Sequence, residues 1–131
     1  MTEAQIALAR RAVAAPGWRW MRGMAAIGRN GARWRLYMGS GGVLCAQGEG
    51  DAGGYTAGWS NEWAEILGAL PDLSDPLTAL GLLALVRERW GVAAHCMQAV
   101  DCCWYVWVEF RLVADANTET EALIAALEVA P

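Results

Sequence analysis

The longest apolar run in the chain repeats at helical spacing and lies within the stretch Leu70–Gly91. On a helix, its apolar residues would form a stripe that broadens to cover most of the circumference. This distribution is typical of a helix that packs against other elements on more than one side. Ser74 and Asp75 are both favourable N-cap residues, Pro76 fits the first helical position, and Gly91 favours the end of a helix. The pattern therefore predicts a central core helix from Asp75 to Trp90.

Helical spacing also marks both ends of the chain. Thr2 and Gln5 have the spacing of a capping box, in which the side chain of each residue bonds to the backbone of the other. Thr118 and Glu121 repeat this spacing near the other end. We predict one helix from Thr2 to Ala15, a second from Thr118 to the C-terminus, and a shorter one between positions 60 and 70.

Alternating apolar and polar positions predict two β-hairpins, one on each side of the central helix. The first joins Arg33–Met38 to Val43–Gln47, and the second joins Val92–Val100 to Cys103–Leu112. The order of elements predicts an α+β fold, in which a four-stranded, mainly antiparallel sheet of two hairpins is layered with helices. For a chain of 131 residues we expect a single domain spanning residues 1–131.

Charge changes this picture because it is unevenly placed. The chain has a net charge of −4 and no lysine; residues 1–47 carry +6 and residues 48–131 carry −10. An acidic protein is a poor non-specific binder of nucleic acid, whereas the basic N-terminal third can attract a small anion. We therefore expect no non-specific nucleic-acid binding, and a small anionic ligand is one candidate partner.

Neither a membrane span nor an export signal is predicted. The apolar run from Leu77 to Val86 is about half of the roughly 20 residues that a span needs. The start MTEAQIALARR lacks the basic-then-apolar layout of a signal peptide. We therefore expect no membrane partner, a cytoplasmic location, and reduced thiols at all four cysteines.

Four segments of the chain resemble small proteins of tailed phages and prophages. They are Arg10–Trp20, Leu70–Pro76, Leu82–Gly91 and Thr118–Glu128. The order of these motifs along the chain resembles that of the phage ABA-sandwich domain family. That order is a leading helix ending in Gly-Trp, a Pro-Asp-x-Ser-x-Asp-type opening to a central helix, a β-hairpin, and a C-terminal Ala-Glu-Ala-type helix. The resemblance implies an α/β/α layered fold, a phage origin and the cytoplasm of a bacterial host. It implies no established activity, so it assigns no catalytic residue.

Two groups of residues are candidates for a ligand site. The first follows the leading helix and contains Trp18, Arg19, Trp20 and Arg22. Arginine forks bind phosphate or carboxylate, and tryptophan faces stack on bases. The alternative is a loop that packs its tryptophans in the core beside exposed arginines.

The second group occupies the predicted off-core face of the sheet. It comprises Arg33, Arg35 and Tyr37 on one strand, and Tyr105, Trp107, Glu109 and Arg111 on another. Aromatic residues interleaved with arginines suit a ligand platform or a subunit interface. The alternatives are that a terminal helix covers this face, or that it is the interface of a homo-oligomer, which we expect.

Two further motifs favour ordinary structural roles. His95, Cys96, Cys102 and Cys103 lack the Cys-x-x-Cys knuckle of most zinc sites, so we predict no metal and no cofactor. The glycine-rich loop Gly48–Gly58 lacks the Gly-Lys-Ser/Thr of a P-loop, which favours a solvated surface loop over a mobile lid.

These patterns lead to a ranked set of functional hypotheses. The first is a non-enzymatic, phage-encoded counter-defence protein that sequesters a nucleotide immune signal as an oligomeric sponge, with the aromatics stacking the base and the arginines neutralising phosphate. The second is an inhibitor of a host defence nuclease or CRISPR complex that uses its acidic half as a nucleic-acid mimic. The third is a virion or assembly component. An enzyme is least supported, because no nucleophile–base set is visible.

Overall fold

A computed structural model of the chain describes residues 1–50, 54–56 and 58–131. Its described part contains four α-helices and eight short strands, and every strand pairing is antiparallel, which confirms the α+β class. The helices are α1 (Glu3–Ala14), α2 (Asn61–Leu67), α3 (Pro76–Trp90) and α4 (Glu119–Glu128). Within this part, no helix is long and apolar enough to cross a membrane.

Side-chain caps begin the helices where the sequence predicts them. Thr2 and Gln5 form both bonds of the capping box of α1. The Ser60 side chain accepts a hydrogen bond at the start of α2, and the Thr118 side chain does the same at the start of α4. The Oδ2 atom of Asp75 accepts from the Thr78 N–H at 3.0 Å and so caps α3.

The strands divide between two sheets. The five-stranded sheet contains, in sequence order, β1 (Ala25–Ile27), β2 (Arg33–Met38), β3 (Leu44–Gly48), β4 (Tyr55–Thr56) and β5 (Leu70–Pro71), and its spatial order is β4-β3-β2-β1-β5. The three-stranded sheet contains β6 (Ala94–Gln98), β7 (Trp104–Val108) and β8 (Arg111–Ala116), in the order β6-β7-β8. Both predicted hairpins form, but they lie in different sheets instead of one four-stranded sheet.

The chain also divides into two units of dense contact. Residues 19–81 form the five-stranded unit, and residues 1–18 with 82–131 form the three-stranded unit. Helix α3 begins in the five-stranded unit and ends in the three-stranded unit. That the chain acts as a single domain stays a prediction.

In the five-stranded unit, a hydrogen bond links the sheet to the start of α3. The Thr78 hydroxyl, which is fully buried, accepts from the Ala25 N–H of β1 at 3.0 Å. Met24 and Leu36 of the same unit are buried. Trp20 packs edge-on against Trp59, with ring centroids 5.5 Å apart. Since Leu80 on the same helix is 61% exposed, the prediction that α3 is covered on most sides is wrong at this position.

In the three-stranded unit, α4 packs on one face of the sheet and contacts all three strands. Leu123, Ile124 and Leu127 of α4 are fully buried, as is Val106 at the centre of β7. The indole N–H of Trp90 donates to the Ala126 carbonyl at 2.9 Å, which ties the end of α3 to α4.

The main error of the sequence-based elements lies at Glu109 and Phe110. These residues form a two-residue turn between β7 and β8, so the segment Cys103–Leu112 is not one strand. Glu109 has φ of 56°, a left-handed conformation that is uncommon for residues other than glycine. Because neither residue is a usual turn former, the sequence carries no signal for the turn or for strand β8.

Two parts of the predicted loop Gly48–Gly58 belong to strands instead. Gly48 ends β3, and β4 pairs with β3 further along. Positions 51–53 and 57 lie outside the described residues, and so does the prediction made for them.

Candidate functional site

The Trp/Arg segment after α1 does not form one exposed platform. Trp18 is half-buried and Trp20 is buried, whereas Arg19 and Arg22 are exposed. This agrees with the alternative in which tryptophans pack beside exposed arginines. Trp18 belongs to the three-stranded unit and the other three residues to the five-stranded unit.

Arg33 and Arg35 of β2 are held by carboxylates in a charged cluster, which comprises Arg33, Arg35, Glu49, Asp72 and Asp75. Arg33 bonds Glu49 at 2.5 Å, Asp72 at 3.1 Å and Asp75 at 3.0 Å. Arg35 bonds Asp75 through two nitrogens, at 2.7 and 2.8 Å. Their role as phosphate ligands stays a prediction, but both guanidinium groups already have anionic partners.

Asp75 is the centre of the charged cluster. It is buried, it accepts from both arginines, and it caps α3 through Thr78. The hydrogen bond from Arg35 is the main cause that lowers the pKa of Asp75 to about 2. The cluster therefore fixes the start of α3 against β2 within the five-stranded unit.

Tyr37 is also on β2, where it is half-buried and lies opposite Cys45 of β3. Tyr37 and the charged cluster belong to the five-stranded unit, whereas Tyr105, Trp107 and Arg111 belong to the three-stranded unit. The off-core face predicted for a single sheet is therefore divided between two sheets.

The three-stranded sheet has a face that α4 does not cover, and we call it the outer face. It is identified by strand register, because directly paired residues point to the same side of a sheet. His95 pairs with Trp107, Met97 pairs with Tyr105, and β8 adds Leu112 opposite Trp107 and Asp115 opposite Tyr105. The outer face thus comprises His95, Met97, Tyr105, Trp107, Leu112 and Asp115.

Exposure agrees with this assignment. Met97 is 49% exposed and Leu112 is 44% exposed, whereas Val106 and Ala94, which point toward α4, are fully buried. Met97 and Leu112 lie on the two strands that flank β7, whose Tyr105 and Trp107 are half-buried. Large apolar side chains at this exposure are typical of interaction surfaces. The outer face is therefore the strongest candidate functional site.

Arg111 lies on the opposite side of the sheet from Trp107. It pairs with Val108, after the turn at Glu109, and its Cζ atom lies 5.5 Å from the ring centroid of Trp90. The predicted grouping of Tyr105, Trp107, Glu109 and Arg111 on one face is wrong for Arg111, because the two-residue turn pairs Arg111 with Val108, which points to the other side.

Tyr105 is oriented by a hydrogen bond to the β6–β7 turn. Its hydroxyl donates to Asp101 at 2.7 Å, and this bond raises the pKa of Tyr105 to about 12. The same bond lowers the pKa of Asp101, whose other oxygen accepts from the Cys103 N–H at 3.1 Å. The ring of Tyr105 is therefore presented in a fixed position on the outer face.

Carboxylates border the outer face. Asp115 lies on it, Asp101 lies at one end of β7, and Glu109 lies at the other end. Neither Asp115 nor Glu109 forms an ion pair with the described residues. The surface is apolar and aromatic at its centre and negatively charged at its border.

The cysteines and His95 do not converge. None of the four cysteines forms a disulfide bond, and among the described residues no group of three or more His, Cys, Asp or Glu could hold a metal ion. Burial raises the pKa of the Cys96 thiol to about 11, which disfavours its reactive thiolate.

Sequence reasoning missed the residues that complete both sites. It did not connect Asp72, Asp75 and Glu49 with the arginines of β2, although a helix cap next to arginines is a visible signal. It also missed Asp115, because strand β8 was not predicted.

Comparisons of the chain with protein-family models, with curated proteins and with solved structures gave no match. The resemblance to phage ABA-sandwich proteins and the expected homo-oligomer therefore stay predictions. What the geometry defines is an α+β protein with an aromatic sheet face that α4 does not cover.

Proposed function

We propose that this chain is a non-enzymatic, phage-encoded binding protein that blocks a host defence protein, such as a nuclease or a CRISPR complex, by docking on it. The single observation that carries the proposal is the outer face, an aromatic and apolar surface bordered by carboxylates. The resemblance of four sequence segments to small phage proteins supplies the biological setting.

The composition of the outer face suits a protein partner. Tryptophan, tyrosine and methionine are enriched at the centres of protein interfaces, and charged residues are enriched at the rim. Trp107, Tyr105 and Met97 occupy adjacent central positions, while Asp101 and Glu109 lie at the two ends of β7. A basic partner complements this arrangement, and proteins that bind nucleic acid are commonly basic.

The nucleotide sponge has less support from the geometry. Two of the five arginines assigned to phosphate, Arg33 and Arg35, bond carboxylates, and Arg111 stacks on Trp90. Trp20, assigned to stack a base, is buried. An incoming phosphate would have to compete with Asp75 for its two arginines.

A plaque assay tests the proposed function. The chain would be expressed in a panel of bacterial strains that each carry one defence system, and each strain would be challenged with a phage that the system normally blocks. We expect plaques to be restored in at least one strain, and we expect Trp107→Asp to abolish this effect. Trp63→Asp is the matched control, because Trp63 is an exposed tryptophan on α2, outside the outer face.

Each outcome of the assay is informative. If no strain is rescued, or if Trp107→Asp rescues as well as the unsubstituted chain, the docking proposal is wrong. If Arg19→Ala with Arg22→Ala abolishes rescue while Trp107→Asp does not, and calorimetry detects binding of a cyclic nucleotide, the sponge is correct instead.

A further inference from the structure

We infer that the outer face binds an arginine side chain of its partner, which stacks on Tyr105 and Trp107 and pairs with the carboxylate of Asp115. This inference rests on the proposed function, because it names the chemistry that the same face would recognise. It concerns a basic segment of another protein, not a second copy of this chain.

The strand register places the three groups within reach of one guanidinium. Tyr105 and Trp107 are two residues apart on β7, which places them on one face about 7 Å apart. Asp115 lies directly opposite Tyr105 on β8, and the Cβ atoms of such a pair are about 5 Å apart. A guanidinium resting on the Tyr105 ring therefore lies within bonding distance of the Asp115 carboxylate.

Arginine fits these groups better than lysine does. Its planar guanidinium stacks on aromatic faces while its N–H groups still bond a carboxylate, whereas the lysine ammonium is a strongly hydrated point charge. The three-stranded unit already contains one such contact, because Arg111 lies over the ring of Trp90. Among the described residues, Asp115 has no ion pair that an incoming arginine would displace.

The arginines of this unit are largely engaged elsewhere. Four of the five have a partner inside the unit, all of whose residues are described: Arg11 bonds Glu128, Arg87 bonds the Ala94 carbonyl, Arg89 bonds the Pro131 carbonyl, and Arg111 stacks on Trp90. These four arginines therefore already have partners within their own unit.

Charge argues against a symmetric dimer through this face. In a two-fold interface the same patch meets itself. A two-fold axis close to Asp115 or Glu109 would bring that carboxylate against its own copy, and like charges at an interface are unfavourable. A basic segment of a different protein meets no such repulsion.

The test is a titration of the full-length, ¹⁵N-labelled chain with a short arginine–glycine peptide, followed by the indole N–H signal of Trp107. A lysine–glycine peptide of the same length and charge is the ligand control. We expect the arginine peptide to shift Trp107, and the lysine peptide to bind more weakly. Asp115→Asn should weaken arginine-peptide binding about two- to fivefold, as is usual for an exposed ion pair.

A matched variant controls for net charge. Glu65→Gln removes one negative charge from an exposed position on α2 and should leave peptide binding unchanged. The arginine inference would be overturned if both peptides bound equally well or if the Trp107 signal did not shift. It would also be overturned if Glu65→Gln weakened arginine-peptide binding as much as Asp115→Asn does. If the plaque assay still depends on Trp107 in that case, the proposed function stands and only the arginine is wrong.

Discussion

The charged cluster and the outer face begin from similar sequence patterns but use their side chains differently. Arg33–Met38 and the segment from Cys103 both alternate aromatic and charged residues. In the five-stranded unit the charged side chains bond one another, and Asp75 joins them to the cap of α3. In the three-stranded unit Tyr105 and Trp107 are half-buried on one face, beside the exposed Asp115. Charges bonded within the fold stabilise it, whereas groups left open are available to a partner.

The strongest test of this contrast removes Asp75. Asp75→Ala deletes the cap of α3 and leaves two arginines without a carboxylate that they share, so we expect a loss of about 3 kcal/mol in the free energy of unfolding. Urea denaturation measures it. Asp75→Asn is the control, since asparagine still caps a helix, and it should cost less. A loss from Asp75→Ala as small as that of an exposed surface substitution would contradict the contrast.

Acid should weaken the charged cluster in a defined range of pH. The pKa of Asp75 is lowered from 3.8 to about 2, so the folded state favours the charged form. Its contribution, about 2 kcal/mol, is present above pH 4 and is lost as the pH falls toward 2. Urea midpoints measured across this range should decline, and Asp75→Asn should flatten that part of the decline. If the urea midpoint of Asp75→Asn declined with falling pH as steeply as that of the unsubstituted protein, the acid sensitivity would come from other groups.

A smaller effect is expected on the covered side of the three-stranded sheet. Arg111→Ala removes the contact with Trp90 and should cost up to about 1 kcal/mol in unfolding free energy. Arg10→Ala, at an exposed position of α1, is the matched control and should change stability little. Equal losses in both variants would indicate that the stacking contact contributes nothing of its own.

Titration of Tyr105 sharpens the contrast without destabilising the fold at neutral pH. Tyr105 should keep its proton until about pH 12, because its hydroxyl donates to Asp101. With Tyr37 and Tyr55 replaced by Phe, tyrosinate absorbance reports this residue alone. Asp101→Asn should return the pKa toward its ordinary value of 10.0. A midpoint near 10.0 in the variant that keeps Tyr105 and Asp101 but lacks the other two tyrosines would mean that the ring is not held by this bond.

Local signals were enough to predict the helices. Thr2, Ser60, Asp75 and Thr118 each act as N-cap within a residue or two of the predicted start, because capping depends on a few neighbouring atoms. The first strand of each hairpin was also predicted, since alternation is a local pattern.

Long-range pairing could not be read from the sequence. Whether two hairpins share one sheet depends on contacts between distant segments, and the short strands β1, β4 and β5 are defined only by their partners. The turn at Glu109 was hidden because its left-handed conformation is imposed by β7 and β8 and not by residue type. The candidate site was therefore predicted in part: Tyr105 and Trp107 lie on it, whereas Arg33, Arg35 and Arg111 do not.

The bonding of β2 to Asp75 also fixes which way that strand faces. If β2 slipped by one residue against β1 and β3, Trp34 and Leu36 would face the carboxylates, and both guanidinium groups would move to the opposite side. That side includes buried Leu36 and the ring of Trp34, whose centroid lies 5.9 Å from that of Trp59. Two uncompensated positive charges there would cost far more than any pairing gained. The charged cluster therefore makes the native register of β2 more stable than the register shifted by one residue.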